Sequence, residues 1–161
     1  MFPQKNEKGF TLIELVLVLV LLGILSAVAL HKYFDLKAEA AENAARAYAA
    51  QFTVEFNSLV ADAVLSGKTC EQAKYGTSED DPNGVINVIG SQYQAWNKDN
   101  GMAINLTPIY QDGPTLDVYV CKGAVVPAGQ LGLCEGGFTT VTVPNGVVSC
   151  DKFKGQEPSQ P

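Results

Sequence analysis

The order of apolar and polar positions divides the chain into stretches of different period. From Phe10 to Leu30 it reads FTLIELVLVLVLLGILSAVAL, 21 residues in which Glu14 is the only charge. A helix of that length spans about 30 Å, the thickness of a bilayer's hydrocarbon core. Residues 32–66 are dense in alanine and contain neither glycine nor proline. Within them Leu36, Ala40, Ala44, Ala47, Phe52, Phe56, Leu59 and Ala63 recur at near-helical spacings, which predicts that the helix continues with one apolar face. Glu39, Glu42, Arg46 and Asp62 fall largely elsewhere around the wheel. Ser66-Gly67 supplies the stop, with Gly67 where helices tend to turn left-handed. One helix over 10–66 would hold 57 residues and reach about 85 Å. That length suits a spine that is transmembrane in its first half and amphipathic, packed on a domain, in its second.

Beyond Gly67 the pattern changes to Gly, Pro, Asn, Asp and Thr, which marks a separate region. Thr69-Cys70-Glu71-Gln72 has capping-box spacing and predicts a short helix, and Val85 to Trp96 predicts another. Between them Gly76 to Gly84 is a polar loop. Its Glu79, Asp80, Asp81 and Asn83 carry oxygens that calcium could use, but the EF-hand spacing with its distal glutamate is missing, so a solvated turn is the better reading. Leu116 to Val120 alternates as a half-buried strand does. Ala103 to Ile109 predicts another strand, and Phe138 to Val143 is rich in β-branched residues. The turn at Pro144-Asn145-Gly146 then predicts a β-hairpin with Val147 to Cys150. The fold class is therefore α+β, a long spine helix with a small antiparallel sheet packed on its outer half. The expected segments are 1–9, a leader; 10–30, the membrane helix; 31–66, its amphipathic continuation; 67–153, a β-rich exported domain; and 154–161, a frayed tail.

Composition narrows the function classes. The chain is 47% apolar and 17% charged, with a net charge of −6, which excludes general nucleic-acid binding through a basic surface. One histidine, His31, and four cysteines without a C-x-x-C pair give no zinc spacing and few ways to build a nucleophile and its base. No triad, phosphate loop or metal cluster is legible, so neither catalytic residue nor cofactor nor metal is expected. His31, at the membrane exit, reads as interfacial. Cys70, Cys121, Cys134 and Cys150 all lie after Gly67, as an oxidising compartment allows. Three pairings are open; the favoured ones are Cys134–Cys150, which would close a loop around the hairpin, and Cys70–Cys121, which would tie the segment after the helix to a strand. Tyr33, Phe34, Tyr48, Phe52 and Phe56 read as packing groups rather than as an electron path.

Three readings compete for the apolar segment. The leader MFPQKNEKG sets Lys5 and Lys8 against Glu7 and favours a cytoplasmic amino end, although Lys32 and Lys37 oppose that asymmetry. A plain signal anchor would suffice for such a segment. A secretory signal peptide would use Ala27-Val28-Ala29 as its cleavage site, but the run is long for one and Glu14 fits it poorly. Glu14 itself requires a cationic or hydrogen-bonding partner in an apolar seam. Cleavage after Gly9 would supply one, the free amine of Phe10, one helical turn away or on a neighbouring copy.

Gly9-Phe10-Thr11-Leu12-Ile13-Glu14, behind a short basic leader and ahead of an apolar run, resembles the processing motif of type IV pilins and pseudopilins. The likeness runs from Lys8 to about Ala50. It implies cleavage between Gly9 and Phe10 by a membrane prepilin peptidase that also methylates the Phe10 amine, and it gives Glu14 the role of docking carboxylate. It implies a loosening helix near Gly23, although His31 stands where family members often have proline. The implied partners are further copies of the chain in a helical homopolymer, the peptidase, an inner-membrane assembly platform, and the membrane itself before assembly. The implied location is the bacterial inner membrane, amino end cytoplasmic and domain periplasmic, and afterwards an extracellular filament. Pilins often close a carboxy-terminal loop with a disulfide, which the cysteines here would allow. A type II secretion pseudopilin or a minor pilin shares the whole amino-terminal motif. A singly anchored periplasmic binding module is the rival from a different class.

Overall fold

The computed structural model describes residues 9–77, 81–97, 99–125 and 134–153. The leader before Gly9, the loop residues Glu79 and Asp80, and the expected tail 154–161 lie outside them. Helix α1 runs from Leu12 to Leu65, within two residues of the expected start. The chain divides into two compact units, residues 1–40 and 41–161. In the first unit every described residue is exposed, as expected of a helix whose apolar surface has no domain to cover it.

The second unit holds the later part of α1, then α2 (Cys70–Tyr75), α3 (Val85–Gln94), β1 (Met102–Ile104), α4 (Thr107–Tyr110), β2 (Thr115–Cys121), β3 (Phe138–Pro144) and a closing 3-10 turn, Cys150–Phe153. Here α1 buries Ala45, Tyr48, Ala49, Phe52, Phe56 and Val60. The expected stripe is only partly right: Phe52 and Phe56 are buried, Leu59 and Ala63 are half-buried, and Leu36, Ala40, Ala44 and Ala47 are exposed. Alanine on both sides leaves little contrast around the wheel, so the face is chosen by the aromatics. Tyr93 of α3 meets Phe52 edge-on at a centroid distance of 5.0 Å and Tyr48 at 5.3 Å. Ile86, Ile104, Ile109, Leu116 and Val118 complete the core, each at most 1% exposed. Full burial of each such side chain stabilises by about 1.5–3 kcal/mol relative to exposure.

Local signals account for the connections. Gly67 adopts φ 93° at the end of α1, a conformation that costs glycine little. Thr69 starts α2 with a complete capping box: the Gln72 amide donates to Thr69 Oγ1 at 3.2 Å and the Thr69 amide to Gln72 Oε1 at 3.1 Å. The strand expected over 103–109 is cut short. Only Met102–Ile104 pairs with β2, because Pro108 lacks a ladder donor and suits the first turn of a helix, where α4 begins.

The sheet has order β1-β2-β3, antiparallel throughout. Leu116 lies opposite Val143 and Val118 opposite Val141, with Leu116, Val118 and Val143 facing the core. The expected hairpin after β3 does not form. β3 pairs with β2, and the Pro144-Asn145-Gly146 turn is instead tied to the turn before β2, the Asn145 side-chain amide donating to the Gly113 carbonyl at 2.8 Å. The next residues return to α1. Asn57 Nδ2 donates to the Gly146 carbonyl at 3.0 Å, and its Oδ1 accepts the Val148 amide at 2.8 Å. Gly146 is required there, because a Cβ would lie 2.8 Å from Thr53 Cγ2. We expect Asn57→Ala to lower stability by roughly 1–3 kcal/mol, since it strands a half-buried amide; urea unfolding of the protein measures it.

The disulfide pairing differs from the favoured one. Cys70 bonds Cys150, and Cys121 bonds Cys134. The strand between them explains why. β3 has seven residues and so covers about 20 Å. One end places Phe138 opposite Cys121, the other places Pro144 opposite Thr115. Cys134 enters at the first end and is bridged to Val125 there, while Cys150 leaves from the second and packs in the main core beside α2. Without the hairpin, Cys134 and Cys150 are carried apart. The Cys121–Cys134 end is lined by a small second cluster that holds Trp96 and Ala103.

Candidate functional site

The sequence placed the chemistry at the head of α1, and there the structure assembles a compact network. Gly9 and Phe10 precede the helix, and Phe10 is 85% exposed. Its nitrogen is an amide joined to Gly9 in this chain. Thr11 occupies the cap position, its carbonyl accepting the Leu15 amide at 3.3 Å. The Thr11 hydroxyl donates to Glu14 Oε2 at 2.8 Å, the Thr11 amide donates to the same oxygen at 3.1 Å, and the Glu14 amide returns a bond to Thr11 Oγ1 at 3.3 Å. This is a reciprocal capping box. The sequence reading used that spacing at Thr69 and missed it at Thr11, where Thr-x-x-Glu was equally visible.

Behind the cap, Leu, Val and Ile cover every side of the helix and are all exposed through Leu30. Among the described residues α1 is the one helix long and apolar enough to cross a membrane. It passes unbroken through Gly23, where an added Cβ would meet nothing within 4 Å, so packing within the chain does not require glycine at that position. One turn on, the Ser26 hydroxyl donates to the Leu22 carbonyl at 2.7 Å, a back-bond that weakens a helix slightly. His31 lies 3.9 Å from Asp35 on the exposed helix surface.

The aromatic residues of α1 divide between core and surface. Tyr48, Phe52 and Phe56 belong to the core, whereas Tyr33 and Phe34 are exposed. Tyr93 donates its hydroxyl to Glu55 Oε2 at 2.5 Å, and desolvation with that carboxylate pushes the phenol upward. Lys74 is wholly buried and paired with Asp112. Tyr75 closes this pair, its hydroxyl 2.8 Å from the Ile109 carbonyl and 3.2 Å from Asp112 Oδ1. Neither group of residues was legible, because their partners are more than thirty positions apart.

In the polar loop the Asp81 carboxylate is engaged by the chain itself. It accepts the Thr77 amide and hydroxyl at 2.8 and 2.7 Å, and the Asn83 amide and side chain at 2.9 Å each. These bonds, led by the Thr77 amide, hold its carboxyl well below the usual aspartate range. A lowered folded-state value stabilises the protein above the ordinary aspartate range, and that contribution is lost as pH falls below about 4. Wild-type protein should therefore lose its advantage over Asp81→Ala on acidification, read as converging urea midpoints. The described residues contain no group of three or more His, Cys, Asp or Glu placed to hold a metal.

Residues 4–30 match the prokaryotic N-terminal methylation motif, the stretch that contains Gly9, Phe10, Thr11 and Glu14. A fimbrial protein of Neisseria meningitidis serogroup A / serotype 4A (strain DSM 15465 / Z2491) is 33% identical to this chain over 118 residues, 66% of this chain and 69% of that protein. No solved structure matches the chain. A spine helix that opens on the methylation motif, with a small antiparallel sheet after it, defines a pilin-like structural subunit. The chain belongs to the type IV pilin family.

Proposed function

We propose that this chain is the precursor of a subunit of a type IV pilus-like filament, cut between Gly9 and Phe10 and methylated at the new Phe10 amine. The single observation that carries the reading is Glu14, a carboxylate at the head of a helix whose apolar surface is exposed on every side. Before assembly that surface lies in the inner membrane, with the leader cytoplasmic and residues 67–153 exported. During assembly it packs against the same surface of other copies. Glu14 of an incoming subunit pairs with the Phe10 amine of one already placed. An ion pair of this kind is worth most in an apolar, low-dielectric setting, so it selects axial register while Leu, Val and Ile supply most of the contact. Repeating one head-to-tail contact that does not close generates a helical filament.

The leader contributes +1 from Lys5, Lys8 and Glu7, so its removal takes the side-chain charge from −6 to −7 and leaves an acidic subunit. The peptidase and an inner-membrane platform are the partners this route requires. The fimbrial relative favours a pilus over the pseudopilin reading, which shares the amino-terminal motif. Intact mass and amino-terminal sequencing of unreduced protein from its native membrane test the processing. The expected result is a start at N-methylated Phe10 with four cysteine hydrogens missing, consistent with both disulfides. A start at Met1 or Leu30 would overturn the reading.

A further inference from the structure

The capping box does more than start a helix. A carboxylate has two oxygens, and those of Glu14 are treated differently. Oε2 accepts both the hydroxyl and the amide of Thr11, while Oε1 accepts no hydrogen bond among the described residues. Because the Thr11 hydroxyl also accepts the Glu14 amide, the bonds close a ring that fixes the direction of the side chain. We propose that Thr11 is the positioning residue for assembly: it holds Glu14 by one oxygen and presents the other to the amine of a second copy of this chain.

This rests on the docking role of Glu14 given above and adds two things to it. In the unassembled subunit the carboxylate enters apolar surroundings already hydrogen-bonded, which removes much of the cost of an unsatisfied anion there. At docking the incoming ammonium meets an oxygen already aimed, so less side-chain freedom is lost in forming the pair. Thr11 and the neighbour's amine therefore do not compete for the same atom. The hydroxyl remains bonded to Oε2 as Oε1 takes the new partner. Valine, nearly the same shape, keeps the helix and the backbone donor but cannot supply the hydroxyl, whereas serine can.

The test uses processed subunits carrying Thr11→Val, Thr11→Ser, Glu14→Ala, or Thr11→Val with Glu14→Ala. Each is purified from the membrane and reconstituted into phosphatidylethanolamine–phosphatidylglycerol vesicles. Self-association is read by energy transfer between labelled copies, and helix content by circular dichroism. Expected is about tenfold weaker association for Thr11→Val, near-parental association for Thr11→Ser, and no further effect of Thr11→Val once Glu14 is alanine. Equal loss from Thr11→Val with and without Glu14 would overturn the proposal, since Thr11 would then act on the helix alone; a fall in helix content would say the same. Unchanged association for Thr11→Val beside weakened Glu14→Ala would overturn it too and leave the docking role standing. Parental association for Glu14→Ala would remove the docking role itself.

Discussion

Glu14→Ala is expected to leave export, cleavage and methylation intact while reducing surface filaments on the order of a hundredfold. The part this side chain plays in the fold is the cap at the head of α1. Among the described residues its carboxylate hydrogen-bonds Thr11 alone, in a unit where every described residue is exposed, so the unit of residues 41–161 should melt as the parent does. In the proposed filament each added subunit would nevertheless leave one amine without its counter-charge in an apolar interior. Removing one member of a desolvated, hydrogen-bonded charge pair costs about 2–5 kcal/mol, and about 2.7 kcal/mol is already a hundredfold in an equilibrium. Filaments sheared from cells and weighed against processed subunit in the membrane give the ratio directly. A normal yield would mean that helix packing sets register by itself. Glu14→Gln should fall between, because the amide retains hydrogen bonding but loses the charge.

The second large effect is expected in the unit of residues 41–161. Opening Cys70–Cys150 by replacing both residues with serine should destabilise it by about 4–5 kcal/mol, against about 3 kcal/mol for the Cys121–Cys134 pair. The difference follows from the separations, 80 residues against 13, since a longer closed loop removes more freedom from the unfolded chain. Position adds to it. Cys70 and Cys150 are 4% and 6% exposed in the main core, where serine would put a polar hydroxyl in place of each apolar sulfur. In thermal melts the Cys70/Cys150 variant should fall by on the order of 15 °C. Equal shifts for the two variants would show that loop length is not what governs their contribution.

Much of the architecture was legible because its signals are local. The apolar run and the glycine-free continuation fix α1 to within two residues, and the capping box at Thr69 places α2. What failed depended on partners distant in sequence. Whether β3 turns back on itself or pairs with β2 is settled by Asn57 on α1 and Gly113 before β2, and no pattern within 138–150 encodes either. The disulfide error followed from that one step. The buried face of α1 was misplaced toward Ala44 and Ala47 because alanine's small side chain marks no side strongly, and Tyr93 decides the matter from elsewhere in the chain. At the candidate site the sequence singled out Gly9, Phe10 and Glu14, while the hydrogen bonds of Thr11 to Glu14 were foreshadowed by the Thr-x-x-Glu spacing alone.

The arrangement of the two disulfides also determines how the subunit withstands damage. Cys70–Cys150 spans everything between the end of α1 and the closing turn. A protease that cuts one peptide bond anywhere between those residues leaves two pieces, one carrying Cys70 and the other Cys150, still joined covalently. A cut in the stretch between Cys121 and Cys134 is bridged a second time. A subunit nicked there would therefore stay one covalent species, heavier by one water, until reduced, and a filament built from such subunits would not shed domain fragments at its first cut.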